Sequence, residues 1–77
     1  MNGQLIVLEL DVMMGKPVIG GTRITVELIL DELSAGATVG SLIDQYPQLK
    51  RESVLAAIAF ARDILRSDVI YLQDKAA

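Results

Sequence analysis

Through the last two thirds of the chain, apolar residues return every three to four positions, the period of a helix with one buried face. Val26, Ile29, Leu30 and Leu33 mark a first helix over residues 26–35, with Thr25 as its N-cap, Glu27 near its positive end and Gly36 as the residue that ends it. Val39, Leu42, Ile43 and Tyr46 repeat the spacing in a second helix of about two turns, capped by Thr38 and stopped by Pro47. A third helix is predicted over residues 51–66. Val54, Ala57, Ile58, Ala61 and Leu65 form its main stripe, and Leu55, Phe60 and Ile64 lie off it. A helix apolar over more than half its circumference is expected to be covered on two sides.

The first quarter reads differently. Residues 4–10 are predicted as a strand, with Ile6, Leu8 and Leu10 on one face and Leu5 and Val7 on the other. Residues 16–19 form a second extended piece whose Pro17 suits a sheet edge. Gly20-Gly21 then marks a tight turn. After Ser67, the run Val69-Ile70-Tyr71-Leu72 fits either more helix or a short strand, followed by a polar tail. The expectation is a single domain over 1–77: a strand and turn arm (1–21), a three-helix bundle (25–66) and a tail (67–77). The fold class is mainly α, a three-helix helix-turn-helix bundle with short N-terminal strands.

Composition changes this picture in one respect. Hydrophobic residues make up 52% of 77 positions, almost none of them aromatic. A domain this small buries only about 60% of the surface its unfolded chain exposes. More apolar side chains are present than one copy is expected to hide, which predicts a homodimer or another protein partner. Leu5, Ile6, Val7 and Leu8 of the arm, with Leu55, Phe60 and Ile64 of the third helix, are the candidate interface residues.

The chain has no cysteine and no histidine. This excludes disulfides, thiolate ligands and a cysteine nucleophile, and removes the commonest general base and metal ligand. No enzymatic activity, metal or cofactor is expected. The acidic residues fall singly or as neighbours, as in Asp31-Glu32, and are expected on solvent faces. No apolar run approaches the roughly 18 residues of a membrane span, and the N-terminus lacks a basic leader, so a cytoplasmic protein with no membrane association is expected.

The formal charge is −3, yet residues 50–66 hold Lys50, Arg51, Arg62 and Arg66 against only Glu52 and Asp63. Arg51, Arg62 and Arg66 share one side of the predicted helix. These four basic residues are the candidate DNA-phosphate contacts; a solvated face is the alternative. Between Arg51 and Arg66 there is no Gln, Asn or Thr to read base edges, which weighs against sequence reading by this helix alone.

The stretch GKPVIGGTRIT, residues 15–25, stands out. Gly20, Gly21, Thr22 and Arg23 have two readings. In one, the glycines turn the chain, Thr22 bonds the backbone, and Arg23 pairs with Glu27 or Asp31. In the other, Arg23 grips a partner's carboxylate or a phosphate. The structural reading is favoured, because such a clamp would pin the arm to the helices. Lys16 is not part of a phosphate loop, since no glycine-rich cradle leads from it into a helix.

With these motifs in place, residues 12–65 resemble the domain-of-unknown-function 433 family. The shared features are the G-K-P-x-I-x-G-T-R-x-x-V block, a helix ending in Ala-Gly, the Y-P-x-L turn at residues 46–49, and an alanine-rich helix with the A-F-A triplet at 59–61. The resemblance implies a homeodomain-like fold and a place in gene pairs that encode a PIN-like nuclease toxin, with the small protein as a VapB-like antitoxin. It therefore implies a toxin protein, and double-stranded operator DNA, as partners. The chain departs from the family pattern at two positions: Lys50 stands where a Thr or Ser cap is usual, and Ser53 where an acidic residue is usual.

Overall fold

In a computed structural model, residues 5–67 are described. The order of elements is β1 (Ile6–Val7), a 3-10 turn (Met13–Gly15), β2 (Val18–Ile19), α1 (Val26–Ser34), α2 (Val39–Gln45) and α3 (Arg51–Ser67). The fold is mainly helical, three helices with a two-stranded antiparallel sheet ahead of them. Val69–Leu72 and the start of the predicted first strand at Gln4 lie outside the described residues.

The sheet is far shorter than the apolar run suggests, and its register gives the reason. Ile6 pairs with Ile19 and Val7 with Val18, so Leu8 would come opposite Pro17. The ladder stops there, because the next amide on the β1 side, Lys16 N–H, donates instead to the Met13 carbonyl at 3.1 Å. The chain instead turns back on itself: Val12 N–H donates to the Glu9 carbonyl at 2.9 Å, and Gly15 N–H to the Val12 carbonyl at 3.1 Å. The other side of β2 is also tied down. Ile19 N–H bonds the Ile24 carbonyl and Val26 N–H, at the first position of α1, bonds the Pro17 carbonyl, both at 2.9 Å. The hairpin is thus stitched directly to the start of α1.

Each helix end has a local cause. The Thr25 hydroxyl accepts from Leu28 N–H at 2.9 Å and caps α1. At its other end, Gly36 sits at φ +106, Ala37 N–H reaches the Glu32 carbonyl and Gly36 N–H the Leu33 carbonyl. This paired closure on a left-handed glycine satisfies carbonyls the helix would leave bare. Thr38 and Ser41 exchange reciprocal side-chain to backbone bonds, both 3.0 Å, so α2 starts with a full capping box. At the start of α3, Ser53 supplies the returning half of a capping box: its hydroxyl accepts from Lys50 N–H at 3.3 Å while the residue is buried.

One core joins all these elements. Ile19, Ile24, Val26, Ile29, Leu42, Leu49, Val54 and Ala57 form a single buried cluster, with Ile6, Leu30, Tyr46 and Phe60 packed at its margin. α1, α2 and β1 all contact α3, which meets them through Ser53, Val54 and Ala57.

The sequence reading of α3 is corrected here. Ile58 and Leu65, expected on the buried stripe, are 40% and 46% exposed, whereas Phe60, expected off it, packs against the core. Serine and alanine at 53 and 57 let the other elements approach closely, and the buried side extends toward residue 60.

Leu42 is fully buried and Leu10 is 87% exposed. Leu42→Ala should therefore cost about 2–5 kcal/mol of unfolding free energy, while Leu10→Ala should change it by less than about 0.5 kcal/mol. Urea titrations of the two variants, followed by far-UV circular dichroism, check both values.

Candidate interaction surfaces on the arm and the third helix

α3 has two sides of opposite use. Its inner side is the floor of the core. Its outer side carries Arg51, Leu55, Ile58, Arg62 and Leu65, spaced by four, three, four and three residues, with Arg66 beside Arg62. All six are exposed. The helical period places them on one face, about 22 Å long at 1.5 Å per residue. Arg62 reaches its neighbour Asp63, with Nη2 2.9 Å and Nε 3.0 Å from Oδ1. Arg51 and Arg66 form no ion pair among the described residues.

The structure does not bring all four basic candidates together. Arg51, Arg62 and Arg66 share the outer face, but Lys50 precedes the helix and lines an open hollow with Gly20, Gly21, Thr22, Gln48 and Glu52. The basic row is therefore interrupted by leucine and isoleucine and lacks its expected leading member.

The arm candidates also divide. Ile6 is half-buried against the core and Val7 is half-buried in the ladder, while Leu5 and Leu8 are exposed. Ile64 is exposed at the end of an apolar cleft that Pro17, Val26, Leu30, Phe60 and Ala61 line between α1 and α3.

The turn that follows β1 carries apolar side chains the sequence reading did not single out. Leu10 and Met14 are 87% and 88% exposed, and Met13 is partly exposed. Met13 and Met14 adopt φ of +50 and +58, directly ahead of Gly15 at +82. Non-glycine residues pay about 1–2 kcal/mol each for this left-handed backbone. Nothing in a run of apolar letters signals that backbone.

In the glycine-threonine-arginine block the expected turn at Gly21 and backbone bond of Thr22 are present, and the expected ion pair of Arg23 with Glu27 or Asp31 is not. Gly21 takes φ +80 in the turn between Ile19 and Ile24. The Thr22 hydroxyl donates to the Ile19 carbonyl at 2.8 Å and accepts from Ile24 N–H at 2.9 Å. Arg23 is exposed and forms no ion pair among the described residues; Glu27 pairs instead with Lys16 at 3.4 Å. The clamp is thus the threonine, and the arginine stands free of it. Both ends of the Lys16–Glu27 pair are largely exposed, so it adds little.

Among the described residues, no group of three or more acidic side chains is arranged to hold a metal ion, and no helix is long and apolar enough to cross a membrane.

Two outcomes follow for stability. Thr22→Val, which strands the part-buried Ile24 N–H, should cost about 1–3 kcal/mol, whereas Arg23→Ala should be close to neutral. Met14→Gly should raise stability by about 1 kcal/mol, because glycine adopts the left-handed backbone freely and the side chain it loses is exposed. Denaturant midpoints of the three variants report both effects.

No curated protein and no solved structure matches the chain. The family model described as "Protein of unknown function (DUF433)" matches residues 6–61, from β1 to the middle of α3. The match takes in the hairpin, the threonine clamp and the core-forming half of α3, and the chain belongs to the DUF433 family.

Proposed function

We propose that this protein is a non-enzymatic, antitoxin-like regulator that acts as a homodimer and binds a PIN-like nuclease toxin. One observation carries the reading: a 77-residue chain with a single small core leaves large apolar side chains exposed in two places. One is the arm, with Leu8, Leu10 and Met14, and the other is the outer face of α3, with Leu55, Ile58 and Leu65. Surfaces of this kind are covered by other protein chains. The absence of histidine and cysteine supports a binding role over a catalytic one.

The partner's chemistry follows from the charges beside the apolar groups. Arg51, Arg62 and Arg66 border the face of α3, so a surface that docks there carries carboxylates around an apolar centre. A nuclease that gathers acidic residues at its active site fits this requirement, and such a toxin is the partner that the family resemblance implies. The homeodomain-like, helix-turn-helix arrangement of three helices belongs to the same reading.

Contact with operator DNA is a second reading, favoured by the same arginines. A dimer duplicates the row and offers six of them to phosphates. The leucine and isoleucine between them fit a protein surface better than base edges, so binding to DNA is expected to be governed by backbone charge.

Co-expression with the product of the adjacent gene tests the main reading. A stable complex that suppresses the partner's ribonuclease activity in proportion to the amount added is the expected result. A partner that neither co-purifies nor loses activity would overturn the proposal. Titration against the upstream DNA at two salt concentrations tests the second reading. A logarithmic salt slope of about −5 is expected if six phosphates are engaged; no binding at low salt rejects the DNA role.

A further inference from the structure

We infer that two copies of this chain associate by laying the arm segment Leu8-Glu9-Leu10-Asp11 of each on the outer face of α3 of the other. The inference specifies the contact inside the proposed homodimer. It rests on that dimer and on neither the toxin nor DNA.

The two exposed apolar surfaces have opposite charge. On the arm, leucines alternate with acids, all four residues are exposed, and neither Glu9 nor Asp11 forms an ion pair among the described residues. On α3, Leu55, Ile58 and Leu65 lie between Arg51, Arg62 and Arg66. Like surfaces repel. Two α3 helices stacked antiparallel about Ile58 would bring Arg51 of each near Arg66 of the other, and two arms would bring acid against acid. Arm on helix is the combination that joins apolar to apolar and carboxylate to guanidinium.

The arm is also shaped in advance. Val12 N–H holds the Glu9 carbonyl, and Lys16 N–H holds the Met13 carbonyl at 3.1 Å, so the turn behind the arm is closed by its own backbone. A segment already ordered loses less entropy on docking. The left-handed Met14, 88% exposed, is a cost the isolated chain bears with no burial in return, as is found where strained backbone serves a functional site. Since each copy owns one arm and one face, a two-fold arrangement makes the contact twice and closes on itself.

Charge reversal tests the pairing. One variant carries Glu9→Arg with Asp11→Arg, the other Arg51→Glu with Arg62→Glu. Light scattering and sedimentation measure association, and circular dichroism checks folding. The unmodified chain should dimerise, and each variant alone should dimerise at least about tenfold more weakly. An equimolar mixture of the two should recover a dimer, because each arm then meets an α3 of opposite sign. If the arm variant keeps full dimerisation, or the mixture fails to associate, the arm-to-helix contact is wrong while the homodimer stands. If the unmodified chain stays monomeric across the micromolar range, the dimer itself falls. Should a reversed variant lose its helical signal, Leu10→Ser and Leu55→Ser take its place; each should weaken association, and full retention by both overturns the contact.

Discussion

The packing of β1, α1 and α2 on one side of α3 is the constraint from which the other features follow. That side is built from small or short residues, Ser53, Val54 and Ala57, so that three elements come close to one helix. A helix has room for such a floor only along part of its circumference. Whatever apolar groups occupy the remainder must stay outside, and on α3 they are Leu55, Ile58 and Leu65. The exposed face is therefore the reverse of the core side, and among the described residues no second layer covers it. In a larger protein another helix would lie there.

Much of this was legible in the sequence because its causes are local. The helix limits follow from Thr25, Gly36, Thr38 and Pro47, each of which acts within one turn of its own position. The turn at Gly21 and the backbone role of Thr22 are of the same kind. The mistaken facing of α3 shows where such reasoning stops. Ile58 and Phe60 are both large and apolar, two residues apart, and either can face inward by period alone. Which one does depends on the direction from which β1 and α1 arrive, a matter of tertiary approach. The Arg23 pairing failed for a related reason: Lys16 comes to Glu27 through the hairpin, and nothing in the spacing of residues 23 and 27 announces a competitor.

The candidate surfaces were half visible. An excess of aliphatic residues was readable from composition, and so was the basic side of the third helix. The arm was read as a longer strand because alternating and continuous apolar letters look alike to a periodicity argument. After two residue pairs the chain turns back on itself, with Lys16 N–H held by the Met13 carbonyl and Val12 N–H by the Glu9 carbonyl, and Leu10 and Met14 are left in solvent.

The short ladder has a wider consequence. A longer hairpin would present a continuous row of unpaired amides and carbonyls along the outer edge of its first strand, a template on which further chains can add without limit. With the ladder held to two residues a side, the described main chain offers no such template. The apolar groups that the described residues leave exposed are side chains at fixed places, and contacts made through such places saturate once each is filled. A protein rich in aliphatic residues can then be adhesive toward selected neighbours and still resist growth into fibres.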